Sequence, residues 1–531
     1  MSRAARWLLF AAALSAPARA AETRVVLDGD VPAQGPDHFF VPFTVPAGTL
    51  EIEVVHDDLS ETNILDWGLA DQRGFRGWGG GNVEPAVVGI DAASRSYFPG
   101  PIEPGEWRVV VGKAKVVETP ARYHIEVALR DVPTLAAQPE RTPYVPSPPL
   151  HGETRWYAGD FHVHSRESGD ARPPIEEIAV FARGRGLDFV MLSDHNTLSQ
   201  LEFLVDAQRR HPDLLLLPGM EFTTYAGHAN AIGATRWVDH KIGQPGVTIA
   251  GAIEAFHDQG ALFSINHPVL DVGDLCIGCA WKHEVDPATI DAVEIATTGW
   301  DKAGQIFDEN AIRFWDDLCA QGHHIAAIGG SDDHSAGVDL GALGSPIGDP
   351  TTLVEADGLG VDALIAGIRA GRTVVKLQGP ADPMIELSRT GDTVRALVTG
   401  GAGFELRFVR DGIALDPVAI DGDDFDQTLG VAAPPSGETR VRAEVLVDGK
   451  PRTVTSHVWI GVAEPGPAAA SPAGGCGCRQ ARNENALSIA PSIALALAFS
   501  RRRTRRRDAQ PSECEARETT LRDKAANSWR S

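Results

Sequence analysis

Basic residues are in short supply: 48 Lys and Arg against 72 Asp and Glu leave a formal net charge of −24, which argues against general affinity for nucleic-acid backbones. Cysteine is scarcer still. Six in 531 residues are too few for a disulfide-built scaffold, and the body of the chain holds only Cys276, Cys279 and Cys319. Cys276-Ile-Gly-Cys279 has no second C-x-x-C to complete a four-sulfur zinc cage. A local disulfide stiffening a loop is the simpler expectation, since pairing with Cys319 would leave one thiol over. Long apolar runs are missing too. WLLFAAALSA near the start is ten residues and ALSIAPSIALALAFS near the end is interrupted by Pro491, whereas a ~30 Å hydrocarbon core needs about twenty apolar residues.

What is present reads as ordinary globular protein, 43% hydrophobic and 23% charged, long enough for roughly three domains. Both ends are basic. Arg3 and Arg6 precede the first apolar stretch and Ala18-Arg19-Ala20 offers small residues for cleavage, so residues 1–20 are predicted to be an export signal. From 463 onward 12 basic residues face 7 acidic ones, which confines the acidic excess to the body.

Residues 21–137 alternate polar and apolar in short runs such as LEIEVVHD and EWRVVVGK, the pattern of an antiparallel β-sandwich. A proline-rich linker is expected over 138–152. From 153 to 383, buried-strand runs (DFVMLSD, LLLLPGME, ALFSINHP, DAVEIATT, HIAAIGGSDD) alternate with helical stretches, which predicts an α/β region with a parallel sheet, open or closed into a barrel. Residues 384–462 return to hairpin texture, a small β-domain. The low-complexity tail follows from 463.

GDFHVHS places His162 and His164 one residue apart. With 17 histidines in the chain, chance alone would supply about half such a pair. The rest of the central region decides the matter. His195 closes DFVMLSDH, Glu221 ends LLLLPGME, His228 opens GHANAIG, His267 ends ALFSINH, and Asp332 and His334 end IAAIGGSDDH. Each is assigned to the C-terminal end of a parallel strand, where loops gather on one face and distant residues converge. Imidazoles and carboxylates are ligands for zinc, manganese or iron, so a metal site is expected.

The order H-x-H, S-D-H-N, G-x-E with a later G-H, N-H-P and S-D-x-H resembles the PHP (polymerase and histidinol phosphatase) domain. GDFHVHS, the ESGD after it and the flanking β-domains look like the CehA/McbA metallohydrolases. The resemblance implies a distorted seven-stranded (β/α) barrel with two or three divalent ions. It implies one ion on His162, His164, Glu221 and Asp332, a second shared through Glu221 with His228 and His267, and a third on His195 and His334, with Asp170 a further candidate. In the tail, the order of Cys476 and Cys478, apolar segment and arginine cluster resembles the MYXO-CTERM sorting signal, which implies retention at the cell surface. An amidohydrolase barrel also opens on H-x-H, but it bridges its metals with a modified lysine where this chain has Glu221.

The chemistry implied is hydrolysis by a metal-bridging hydroxide, with Glu221 and Asp332 as catalytic carboxylates and His334 or Asp170 as proton donor to a leaving group. The expected substrate is a small phosphoester or, by the CehA/McbA resemblance, a carboxyl or carbamate ester. The alternative from another class is a surface protein that binds ligands without turnover. Asp194 is expected to orient His195, with Asn196 and Asn266 as similar partners or plain turn residues. Arg166 and Lys282 are candidates to grip an anion. His240, His257, His283 and His323-His324 are expected at solvated surface.

Overall fold

The computed structural model describes residues 22–461 except 298–303, 339, 341–343 and 435. The expected export signal and the tail with Cys476 and Cys478 lie outside the described residues. Among the described residues no helix is long and apolar enough to cross a membrane.

The first region is two four-stranded antiparallel sheets. One has the order Glu22–Asp30, Arg122–Arg130, Glu51–Asp57, Ala86–Gly89; the other has His38–Val45, Gly105–Lys115, Ile64–Asp71, Gly74–Gly80. Strict alternation drives this. In His38–Val45 the side chains of Val41, Phe43 and Val45 are buried while Pro42 and Thr44 between them are exposed, as a period of two residues requires. The buried faces share a core around Ile52, Leu69, Trp107 and Ile125.

The central region runs β1 (His151–Val163), α1 (Ile175–Gly184), β2 (Phe189–Leu192), α2 (Leu201–Arg210), β3 (Leu215–Thr224), β4 (Gly227–Ile232), α3 (Ile249–His257), β5 (Leu262–Ile265), β6 (Ala292–Ala296), α4 (Gln305–Cys319) and β7 (Ala326–Gly329). The seven strands are neighbours in chain order. The pairs β1–β2, β2–β3, β5–β6 and β6–β7 are parallel. β4 is antiparallel to both β3 and β5, which corrects the expectation of a wholly parallel sheet. Only Tyr225 and Ala226 separate β3 from β4, far short of the dozen residues a parallel crossover needs, so the chain doubles straight back. His228 therefore stands at the start of an antiparallel strand, not at the end of a parallel one. Running backwards, β4 places it opposite Thr223 and hence on the same face as the other strand ends.

The two edges of this run meet. Val163 bridges Asp333, the amide of Asp332 donates to His162 O at 2.9 Å, and the amide of His164 donates to Asp333 O at 3.0 Å. Residues following β1 and β7 are thereby neighbours. Side chains of the strands divide between two apolar clusters. Val190, Leu216 and Phe263 pack with Ile178, Leu204, Phe256 and Trp315 of the first four helices, while Phe161, Phe189, Leu217 and Ile328 pack with Leu364 and Ile368 of α5 (Val361–Arg369).

Thr351–Leu359 pairs antiparallel with β1. Through Thr373–Lys376 the same sheet continues to Lys450–Thr455, Thr439–Val447 and Glu405–Arg410. The fold is thus mixed α/β around one large sheet. A three-stranded sheet, Met384–Thr390, Thr393–Thr399 and Asp424–Gly430, shares the core of Ile385, Val398, Leu406 and Val445.

Candidate metal centre

His162 and His164 straddle the last residue of β1, and a spacing of two on extended chain sends both side chains the same way. Gly330, just past β7, lets the two chain ends close: a Cβ there would sit 2.3 Å from His162 Cβ. Three non-glycine residues around the site, Asn196, His267 and Asp332, hold φ at 52°, 26° and 55°. Left-handed backbone of this kind is costly and collects where a side chain must be aimed.

All nine predicted ligands belong to one connected cluster of side chains. Glu221 lies at its heart, with Oε1 3.4 Å from His162 Nε2 and 3.3 Å from both His228 Nδ1 and His267 Nε2, and Oε2 2.7 Å from His195 Nδ1. Asp332 Oδ1 is 3.2 Å from His162 Nε2 and 3.0 Å from His164 Nε2. On the outer side Asp170 Oδ2 is 3.3 Å from His195 Nε2 and 3.4 Å from His334 Nε2. His164 also groups with His195 and His334, so it stands between two sets. Burial falls across the cluster. His162 and His164 are wholly buried, His334 is 29% exposed and Asp170 56%, so the site opens on the Asp170 side.

These contacts are not an ordinary hydrogen-bond network. His162 Nε2, His164 Nε2, Glu221 Oε2, His228 Nε2 and Asp332 Oδ1 are buried with no hydrogen-bond partner, an arrangement that costs several kcal/mol if nothing fills it. Two ligands bound at about 2.1 Å to one ion stand about 3.0–3.4 Å apart, the separation seen around Glu221 and Asp332. The donor set fits divalent cations. Outer partners aim it: Glu294 Oε2 accepts from His162 Nδ1 at 2.8 Å, His267 Nδ1 donates to Cys279 O at 3.3 Å, and His334 Nδ1 to Asp332 O at 2.8 Å. Each leaves Nε2 free to point inward.

The electrostatics agree with a cation-seeking site. Burial opposes ionisation of Glu221, but His162, His195 and His228 hold it well below the usual carboxylate range. Burial likewise opposes a charge on His162, yet Asp332, Glu294 and Glu221 raise it well above an ordinary imidazole. His164 goes the other way, pushed down to about 3 by burial and by His334 and His195.

No family model matches this chain, and no curated protein matches it. Solved structures do. A two-domain protein from Bacteroides vulgatus containing a predicted PHP-like metal-dependent phosphoesterase is 19% identical, covers 61% of this chain and 100% of its own, and has a TM-score of 0.34. A protein from Bifidobacterium adolescentis assigned as a metal-dependent phosphoesterase without established activity is 14% identical over 40% of this chain and 95% of its own, with a TM-score of 0.26. An amidohydrolase from Chromobacterium violaceum, holding sulfate and no metal, is 14% identical over 35% and 91%, with a TM-score of 0.24.

Sequence reasoning passed over several residues of this neighbourhood. Glu294 sits mid-strand in β6, fully buried; a lone acid inside the apolar run DAVEIATT was the available signal. Asp160 accepts the amides of His162 and Ser331 at 3.0 Å each and of Gly348 at 2.8 Å, tying β1 to the segment after β7. The first β-region also reaches the site. Asp66 accepts from Tyr225 Oη at 2.7 Å and is pushed up to about 6 by burial, and Ser96 Oγ donates to Glu167 O at 2.7 Å, holding the loop that carries Asp170. No pattern in the sequence announces contacts between regions.

Other expectations need correction. Asp194 does not orient His195: it accepts the amide and hydroxyl of Ser165 at 2.6 and 2.7 Å, bracing the loop after His164. Thr223 Oγ1 partners His195 Nδ1 instead, at 2.7 Å. Asn196 bonds the backbone of Thr223 and Asn266 donates to Glu221 Oε1 at 3.0 Å, so Asn266 is the one whose side chain touches a candidate ligand side chain. His240 is buried against Trp78 and His38, because the sandwich covers it. His283 is half-buried and shares a 2.7 Å hydrogen bond with Thr224 Oγ1. His257 pairs with Asp291, and His324 stacks on Trp459. Arg166 is exposed, and Lys282 lines a cavity of about 270 Å³ with Lys115, Tyr225 and Cys279. Cys276 and Cys279 form the local disulfide, and Cys319 is a buried free thiol.

Proposed function

We propose that this chain is an exported metal-dependent hydrolase of small phosphoesters or related esters, built on a distorted seven-stranded barrel of the PHP, CehA/McbA kind. The observation that carries the reading is the convergence of buried, unpartnered nitrogen and oxygen atoms on Glu221 and Asp332. His162, His164, Glu221 and Asp332 would hold one ion, Glu221 with His228 and His267 a second, and His195, His334 and Asp170 a third. Divalent ions held there would acidify water and neutralise charge building on the ester oxygens.

The chain's own groups do the rest. Glu221 and Asp332 both approach His162 Nε2 and fix the ligand geometry there, and Glu294 keeps the His162 proton on Nδ1. Where the third ion is absent, His334 or Asp170, on the open side, is placed to deliver a proton to a departing alkoxide. The acidic body disfavours long nucleic acids as substrates, and the partly exposed rim admits a small ester. The basic apolar start supports export, and the cysteine, apolar and arginine order of the tail supports anchoring at the surface.

Metal analysis together with a panel of chromogenic phosphate and acyl esters tests this. Bound divalent metal and turnover of one class are expected, and the class turned over separates phosphoesterase from carboxyl or carbamate esterase. Metal without turnover of any ester would favour a ligand-capturing protein. Glu221→Ala should lose metal and activity together, and wild-type turnover in that variant would rule out its central role.

A further inference from the structure

The loop between β5 and β6 brings a sulfur to the second set of ligands. Cys279 is 1% exposed, its Sγ lies 4.0 Å from His228 Nδ1, and its carbonyl accepts from His267 Nδ1. Ligand atoms of His228, His267 and Cys279 all fall within 4.8 Å of one another. A tetrahedral zinc with bonds of 2.3 Å to sulfur and about 2.05 Å to nitrogen sets S and N about 3.6 Å apart, so the sulfur stands within about half an ångström of ligand spacing from His228 Nδ1.

The disulfide to Cys276 withholds it, because the thiolate is the ligand form of sulfur. The loop does not need that bond to stay in place. Trp281 N donates to Pro268 O at 2.9 Å and Lys282 N to Ala226 O at 2.7 Å, and Gly278, at φ +83°, packs so closely on the β3–β4 turn that a Cβ would sit 2.4 Å from Thr224 O. The cavity of about 270 Å³ borders both cysteines, giving a small reductant a way in.

We propose that Cys279 is a redox-gated metal ligand. A dithiol passes two electrons and two protons to the Cys276–Cys279 bond and becomes its own cyclic disulfide. Cys279 then yields its proton and binds a zinc-like ion as thiolate, alongside His228 and His267. The proposal rests on the reading of those two histidines as ligands.

The test uses the full chain, reduced with dithiothreitol, freed of reductant under inert gas and titrated with cobalt(II). Oxidised protein should bind cobalt without a near-ultraviolet thiolate-to-cobalt charge-transfer band. The reduced protein should gain the band, Cys276→Ser should show it with no reductant, and Cys279→Ser should lack it throughout. Bound cobalt should also protect Cys279 but not Cys276 from iodoacetamide. Cobalt bound without the band in both the reduced protein and Cys276→Ser, or a band that survives Cys279→Ser, would overturn the assignment. Failure of every form to take up cobalt would bring down the metal reading itself, and this proposal with it.

Discussion

Replacing Glu294 by Gln isolates the contribution of a residue that binds no metal itself. The Glu294 carboxylate accepts from His162 Nδ1 at 2.8 Å and from the His267 amide at 3.2 Å, so it braces one ligand from each of two sets. Gln keeps the shape but removes the charge that makes His162 a better donor, and its NH2 must face one of two N–H donors. Loss of such an outer partner lowers metal affinity about 10- to 100-fold, equivalent to about 1.4–2.7 kcal/mol. The mismatched donor adds about 1–3 kcal/mol of destabilisation to the metal-free fold. Competition against a chromophoric chelator reads the first effect, and urea unfolding of the metal-free protein reads the second. A Glu294→Gln protein with wild-type zinc affinity would refute the aiming role, whatever its stability.

Metal affinity should climb from about pH 6 to about 9. Burial opposes the charge on His334, but Asp170 and Asp332 raise it to about 9, so below that pH a proton must leave before metal binds; chelator competition across this range, or proton release on binding, checks it. Asp316→Asn should destabilise the fold by about 1–3 kcal/mol, because Arg442 and His457, both buried, lose the carboxylate that accepts from them at 2.8 and 3.0 Å, while Arg442 keeps its ion pair with Glu444. Burial opposes the Asp316 charge, yet His457 and Arg442 hold its pKa well below the usual range. Its contribution is therefore complete above the unfolded value of about 3.9 and fades as pH falls below it, so urea midpoints of the variant should lack that part of the acid-side decline. Gly169→Ala would put a Cβ 2.1 Å from the Gly79 carbonyl oxygen, an overpacking cost of about 1–3 kcal/mol; unchanged unfolding would mean that the first β-region does not press on the Asp170 loop as described.

Much of the candidate site is legible in the sequence because metal ligation needs particular side chains at strand ends, and apolar runs ending in His, Asp or Glu mark such ends. His162, Glu221, His267 and Asp332 were found that way. His228 is expected on a strand running the wrong way, since a six-residue strand does not reveal which way it travels; only the two-residue turn before it does. Asp194 was misread because adjacency to His195 in the chain says nothing about which way a buried carboxylate turns. His240 was placed at the surface because a neighbouring region, not its own segment, buries it.

The order of elements, the inventory of candidate ligand atoms and the face on which they emerge were determined by the sequence alone, through local periodicity and the rule that strands alternate their side chains. How those atoms are shared was decided only in three dimensions. That Glu221 serves four histidines, that Glu294 stands behind His162, and that a sandwich residue supports the Asp170 loop all follow from the meeting of β1 with β7 and from packing between regions. These are distances between residues far apart in the chain, and short-range propensity carries no record of them.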